Sequence, residues 1–333
     1  MSTKKGLKLG TTLYSLTNEF HWRKYDFEGL VRRVAAENLG PGLEVVGFQS
    51  IKGFPVITDA YAEWFKALIA ETGLELSCLG INADNAIRRD RDMTVEESVT
   101  YHQAQIDAAA KLGFPVARYQ YPAGVEVIRR LEPYAAEKGV KLGLEIHSPH
   151  TVHTPDIMKY RELYDTLSSP YLGFVPDFGS SVVGIPPMVI ARFRAGGASE
   201  TLIDIVLEEW RSDAPVMEKQ ASFRRRGEAA GANVETLNRL AFVFGYFSRQ
   251  APQDWAEIMH QVVHIHGKFF DFNDQGEENS VPYPEILKVF VDGGYDGYMS
   301  SEYEGHLFSD DDGFDKLLAH HAQCQRILDR LQA

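Results

Sequence analysis

Cysteine is scarce in this chain: Cys78 and Cys324 lie far apart and outside any C-x-x-C spacing, which excludes a disulfide framework and a thiolate zinc site. Long apolar runs are missing too. No stretch approaches the roughly 18 residues that cross a bilayer, and the opening MSTKKGLKLG lacks the apolar segment of a secretory leader. A cytoplasmic protein with no membrane partner is expected. Positive charge is in deficit, with 34 Lys plus Arg against 47 Asp plus Glu and a net charge of −13. Such a chain repels phosphate backbones, so nucleic acid is not an expected partner. Small neutral or cationic molecules remain open.

What is present suits a large core: 333 residues, 44% of them hydrophobic, with 28 Gly and 15 Pro. Short apolar, aromatic or β-branched runs at 8–14, 43–48, 74–81, 116–121, 141–147, 172–177, 262–268 and 298–303 predict eight strands. Segments of helical period lie between them at 27–37, 61–71, 94–112, 125–138 and 284–291. Several stop at a glycine, and the third opens with the capping-box pattern T-V-E-E. Strand, amphipathic helix, glycine and strand, repeated eight times, predict an α/β fold of the (β/α)8 TIM-barrel type, one domain over 1–333. A barrel needs only about 250 residues. The surplus lies between strands six and seven, where 180–261 reads as a large helical insertion with helices near 187–195, 200–210, 217–230, 234–247 and 253–260. By its place after a strand it is expected on the catalytic face. Its Arg224, Arg225 and Arg226 read as a solvated helix face. The run F-V-F-G-Y-F at 242–247 reads as core packing or, alternatively, as the lining of a pocket or partner surface.

An ionisable residue in a buried parallel strand is costly unless it is paired, hydrogen-bonded or bound to metal. The last four strands nevertheless end in such residues. Strand five supplies Glu145 and His147, strand six Asp177, strand seven His264, His266 and Lys268, and strand eight Glu302 and Glu304. Alternation sends each of these sets to one side of its strand. A single Glu at a strand end reads as a cap or an ion-pair member. The ends of consecutive barrel strands converge, however, and three carboxylates with one neutral histidine leave negative charge that a divalent cation offsets. Three hard oxygens and one imidazole suit Mn2+ first, Mg2+ or Co2+ next, and Zn2+ less.

With E-I-H at 145–147, H-I-H at 264–266 and the tail V-P-Y-P-E-I-L-K … G-G-Y-D-G-Y-M-S-S-E-Y-E-G, the sequence resembles the xylose-isomerase-like TIM-barrel superfamily of sugar isomerases, ketose 3-epimerases and inosose dehydratases. The resemblance implies that Glu145, Asp177, His266 and Glu302 hold one divalent metal. His266 is preferred to His264 because the second histidine of that superfamily's H-x-H strand is the ligand. Two features depart from the epimerases. The stretch after the first metal glutamate is H-S-P-H-T and position 180 is Ser180, where those enzymes carry a second carboxylate-bearing segment and a histidine. The long insertion is also foreign to them. Length, E-I-H and insertion are most similar to the α subunits of bacterial C-glycoside deglycosidases. That likeness implies Mn2+-dependent cleavage of the C–C bond between a 3-oxo sugar and an aromatic aglycone, in a hetero-oligomer with a small β subunit. The alternative is a sugar isomerase, ketose 3-epimerase or inosose dehydratase on the same metal site. A barrel without catalysis is a third reading, opposed by the four intact ligand positions.

For a 3-oxo-glycoside, loss of the C2 proton allows β-elimination of the aglycone from C1. This calls for a base. His147 is the leading choice, since an imidazole with its ordinary pKa of about 6.5 suits the task; alternatively it orients Glu145. Glu145 or Glu302 could be both ligand and base, as the resemblance to epimerases implies. His264, Lys268 and Glu304 are candidate substrate ligands, with packing or ion pairing as the alternative. Tyr14, Asn82, Tyr119 and Tyr121, at the ends of earlier strands, are candidates to line an aromatic-friendly pocket.

Overall fold

The computed structural model describes residues 6–332. Eight parallel strands form one sheet: β1 Lys8–Thr12, β2 Gly42–Val46, β3 Glu75–Gly80, β4 Val116–Tyr119, β5 Lys141–Ile146, β6 Leu172–Pro176, β7 Ile265–Phe269 and β8 Tyr298–Tyr303. Their order is β6-β5-β4-β3-β2-β1-β8-β7, and parallel bridges Phe174 to Val262 and Asp177 to His266 bring β6 beside β7. The sheet is thus a nearly closed (β/α)8 barrel. All eight expected strands are present, some of them shorter than their apolar runs. β1 ends at Thr12 before a 3-10 turn at Leu13–Leu16, β4 ends at Tyr119 before a 3-10 turn containing Pro122, and Val262 contributes to β7 only a bridge.

Helices Phe27–Ala36, Asp59–Thr72, Val95–Leu112, Val125–Lys138, Pro155–Leu167, Tyr283–Asp292 and Gly313–Gln332 surround the barrel. Their apolar sides pack on the outward face of the strands, as with Leu30, Val31 and Val34 of the first. The capping box at Thr94 and Glu97 forms as its sequence indicates. Gly113 and Gly139 end their helices with φ of 96° and 69°, a conformation that favours glycine. Periodicity had not singled out Pro155–Leu167 or Gly313–Gln332. Among the described residues no helix is long and apolar enough to cross a membrane.

Between β6 and β7 the chain forms helices Pro187–Ala195, Glu200–Arg211, Val216–Ala229, Val234–Ala241 and Val243–Tyr246, then a 3-10 helix Pro252–Gln261 that packs against Tyr283–Asp292. The expected single helix over 234–247 breaks at Phe242. Arg224, Arg225 and Arg226 are exposed, the last paired with Glu208 and Glu209. Phe244 and Phe247 are core residues, whereas Tyr246 reaches Glu304 on β8's end. Further contacts run from this segment to the loops after β5, β6 and β8: Ser248 to Ser148, Gln250 to Ser180, and Arg192 to the Leu307 carbonyl.

Glycines let neighbouring strands approach closely. Gly10 of β1 pairs with Gly42 of β2, and a Cβ added at Gly10 would stand 2.7 Å from the Gly42 carbonyl oxygen and 2.8 Å from its Cα. Backbone cannot yield as a side-chain tip can. Gly10→Ala is expected to cost about 1–3 kcal/mol through overpacking, read as a lower denaturation midpoint; an unchanged midpoint would show that β1 and β2 are free to separate.

Candidate active site

The inward side chains of the strands form two polar layers, one above the other. In the lower layer the Glu44 carboxylate of β2 sits between two histidines of the β7 chain. His264 Nε2 is 3.0 Å from its Oε2, and His266 Nε2 is 3.0 and 3.1 Å from its two oxygens. Ser300 Oγ lies 3.0 Å from His264 Nε2. Arg118 of β4 spans the layers, with Nη2 3.9 Å from Glu44 and Nη1 3.3 Å from Glu145. In the upper layer His266 Nδ1 is 2.7 Å from Glu145 Oε1 and 3.6 Å from Glu302 Oε2. Lys268 Nζ stands 2.8 Å from Asp177, 3.5 Å from Glu302 and 3.4 Å from Glu304. Gln120 Nε2 donates to Glu145 at 3.1 Å, Tyr14 donates to Glu304 at 3.3 Å, and Tyr246 donates to the same Glu304 oxygen.

Five buried carboxylates therefore face two permanent cations. Burial pushes Glu44, Glu145, Glu302 and Glu304 up, and the neighbours decide the outcome. His266 and His264 hold Glu44 well below the usual carboxylate range, and Arg118 with His266 does the same for Glu145. Lys268 lowers Glu304 against its burial. Glu302 is pushed up to about 7, since burial, with Asp177 and Glu304 close by, outweighs Lys268 and His266. Burial lowers His264. It also opposes the charged forms of His266 and Lys268, but the surrounding carboxylates carry both well above their ordinary values.

Three oxygens are left over. Asp177 Oδ2, Glu302 Oε2 and Glu304 Oε2 are buried and accept no hydrogen bond, although all three lie within ion-pair distance of Lys268. A polar atom without a partner in this setting is costly. Donor atoms of Glu145, His266 and Glu302 lie within 4.8 Å of one another, as do those of Glu44, His264 and His266. Hard oxygens, one imidazole and unsatisfied lone pairs suit a divalent cation.

The structure thus brings together Glu145, Asp177, His266, Lys268, Glu302 and Glu304, with Tyr14 above them. His147 is beside them: its Nε2 is 3.6 Å from Asp177 Oδ2, and its Nδ1 donates to the Ser148 carbonyl at 2.5 Å. His264 belongs to the lower layer, below the mouth. Three of the expected pocket residues make their contacts elsewhere. Tyr119 points outward, because Arg118 and Gln120 take the inward positions of β4, and its hydroxyl meets that of Tyr164 among the helices. Asn82 is bound to Tyr101 and Gln105 of the Val95–Leu112 helix. Tyr121 lies exposed against the His150 ring, 4.3 Å between centroids. Glu44, Arg118 and Gln120 were not anticipated, and Tyr246 only as part of the run 242–247, whose alternative reading was a pocket lining. The first two were open to the rule applied to the last four strands, since L-E-V-V and V-A-R-Y each place one charge inside an apolar run.

The model of the family described as xylose isomerase-like TIM barrel matches residues 35–196. A 3'-dehydrocarminate deglycosidase alpha subunit from Microbacterium sp. is 40% identical over 98% of this chain and 97% of its own length. A C-glycoside deglycosidase alpha subunit from Microbacterium trichothecenolyticum is 43% identical over 89% of this chain and 83% of its own. Among solved structures, a xylose isomerase-like TIM barrel protein from Mycobacterium smegmatis in complex with magnesium covers 100% of both chains with a TM-score of 0.56 at 14% identity, a likeness of fold.

Arg118 is the permanent cation that reaches both Glu44 and Glu145. Arg118→Met leaves Glu44 and Glu145 buried without their guanidinium, and a loss of about 3–5 kcal/mol is expected in chemical denaturation. A loss below about 1 kcal/mol, the scale of a surface pair, would mean that the two histidines suffice.

Proposed function

This chain belongs to the family of C-glycoside deglycosidase alpha subunits, and from that premise we propose that it breaks the C–C bond between a 3-oxo sugar and an aromatic aglycone, working with a small β subunit. The observation that carries this reading is the end-to-end match to a relative named for deglycosylation of 3'-dehydrocarminate. The names of the relatives as alpha subunits support the partner.

Glu145, Asp177, His266 and Glu302 would hold the divalent cation, Mn2+ before Mg2+ or Co2+. When bound, such an ion draws electron density from the sugar's carbonyl oxygen and so acidifies the adjacent C–H bond. His147 takes the C2 proton. A carbonyl only accepts, so the bond to Ser148 places the ring proton on Nδ1 and leaves Nε2, the nitrogen facing Asp177, free to receive one. The C2–H electrons form the C1–C2 double bond as the C1–aglycone bond breaks. Its electron pair stays on the aglycone carbon, which then takes up a proton. Asp177 offsets the charge gained by His147. Lys268 and Glu304 hold sugar oxygens, and Tyr14 and Tyr246 fix Glu304. The helical insertion at 180–261 covers the mouth over a bulky aromatic group, with Tyr246 as its contribution to the pocket.

The test is aglycone release from a 3-oxo aromatic C-glucoside by this chain assembled with its β subunit, with and without chelator. Release that chelator abolishes and Mn2+ restores is expected. No release from an intact, metal-loaded complex would overturn the assignment. In the same assay His147→Asn is expected to lower kcat about a hundredfold or more, with the fold retained by circular dichroism; a loss below about tenfold would move the base to another residue.

A further inference from the structure

His266 has two nitrogens and both face carboxylates, so a metal centre that includes it must settle which one stays bare. We infer that Glu44 settles it: this residue of β2 takes the Nε2 proton of His266 and turns the Nδ1 lone pair toward Glu145 and Glu302. The inference rests on the metal centre proposed above and assigns Glu44 as a positioning residue for it.

The two sides of the ring differ in what they lack. On the Nε2 side both carboxylate oxygens have imidazole partners. Glu44 Oε1 lies 3.0 Å from His266, and Oε2 lies 3.0 Å from His264 and 3.1 Å from His266, while the Arg118 guanidinium stands 3.9 Å away. A carboxylate only accepts, so each imidazole nitrogen directed at an ionised Glu44 carries a proton. Arg118 adds a fixed positive charge there, which opposes a second cation. On the Nδ1 side Glu145 Oε1 lies 2.7 Å away, so this nitrogen also carries a proton until a cation replaces it, and the deficit of partners lies here. Glu302 Oε2, 3.6 Å from Nδ1, is one of the oxygens without a hydrogen bond, and Asp177 Oδ2 is another. A cation is favoured where lone pairs are unsatisfied, so Nδ1 is its side of the ring. Glu44 is wholly buried on a strand and clamped by two histidines, so it holds the ring's orientation rigidly. Carboxylate, imidazole and metal in series are a recurrent arrangement in which the outer carboxylate fixes the tautomer and raises the ligand's basicity.

Two measurements test this without catalysis. Mn2+ titrated calorimetrically into the metal-free protein is expected to bind Glu44→Gln about 10–100-fold more weakly than the native chain, with thermal denaturation confirming that the variant is folded. Equal affinity in a folded Glu44→Gln would overturn the assignment. Nitrogen NMR of the histidine-labelled native chain saturated with Mg2+ is expected to show His266 protonated at Nε2 and bare at Nδ1; the reverse tautomer would overturn it too, and this spectrum decides the matter if the variant does not fold. A native chain that binds neither ion sinks the metal centre itself. That result is distinct from a native chain that binds through the wrong nitrogen.

Discussion

Burying a carboxylate costs several kcal/mol unless a partner offsets its lost hydration, and this barrel buries Glu44, Glu145, Asp177, Glu302 and Glu304 along one interior. The surrounding residues follow from that constraint. Arg118 serves two of the acids at different depths, and Lys268 faces three at once. His266 joins the layers, with a carboxylate at either nitrogen. Both oxygens of Glu44 below have imidazole partners, whereas above three carboxylate oxygens stay without hydrogen bonds. A structural network would close its lone pairs on all sides. One that leaves them open only toward the C-terminal ends of the strands, where barrels of this type carry their chemistry, is arranged for something that binds.

Strand alternation keeps this charged interior apart from the apolar layer outside. Arg118 points in and Tyr119 points out; Glu302 points in and Tyr303 out, its ring stacked on Phe269 with 5.3 Å between centroids. Outside β8, Ser301 is tied to His320 of the last helix at 2.8 Å. The innermost site residues therefore sit on strands braced from behind, which holds their geometry more tightly than loops would. His147, Tyr14 and Tyr246 lie beyond the strand ends, on the parts of the chain that vary most readily while the barrel stays the same.

The barrel was legible because each strand is a short apolar run and five of the outer helices show their period, several of them stopping at a glycine. The upper layer was legible for a related reason: charges at the ends of four consecutive strands, single only in the sixth, have no collective explanation as caps. Glu44 and Arg118 were passed over because each is a single charge in its strand, and a single charge has an ordinary reading until a partner is visible. That partner is across the barrel, 220 and 222 positions away for the histidines at Glu44, a separation that no local pattern reports. Tyr119 failed for a different reason: it was chosen for lying near a strand end, and alternation sends its neighbours Arg118 and Gln120 inward to Glu145 instead. Tyr246 was hidden among aromatic neighbours that do pack in the core, and only the break at Phe242 separates its role from theirs.

The long segment between β6 and β7 poses a separate problem, since several helices hung from a barrel by two flexible ends would hold Tyr246 nowhere in particular. The ends are not flexible. Val182 N–H donates to the Ser248 carbonyl, Gln250 N–H donates to the Ser180 carbonyl, and Ser181 pairs with Arg249 in an antiparallel bridge. The stem is fastened to the barrel as well: Ser180 Oγ donates to the Ile146 carbonyl, and Trp255 Nε1 donates to Ser181 Oγ. Lengthening a loop whose ends are already joined adds little closure entropy, which rises only slowly with chain length. The helices can therefore be added at small cost in order. Tyr246 stands two residues before the paired Ser248, whose own N–H is bound by Ser148 next to His147. Its position over Glu304 is thus set by the stem and not by the distant helices. Ser180 is small and fully buried at the root of that stem. A bulky ring there would take the space through which the stem meets β5.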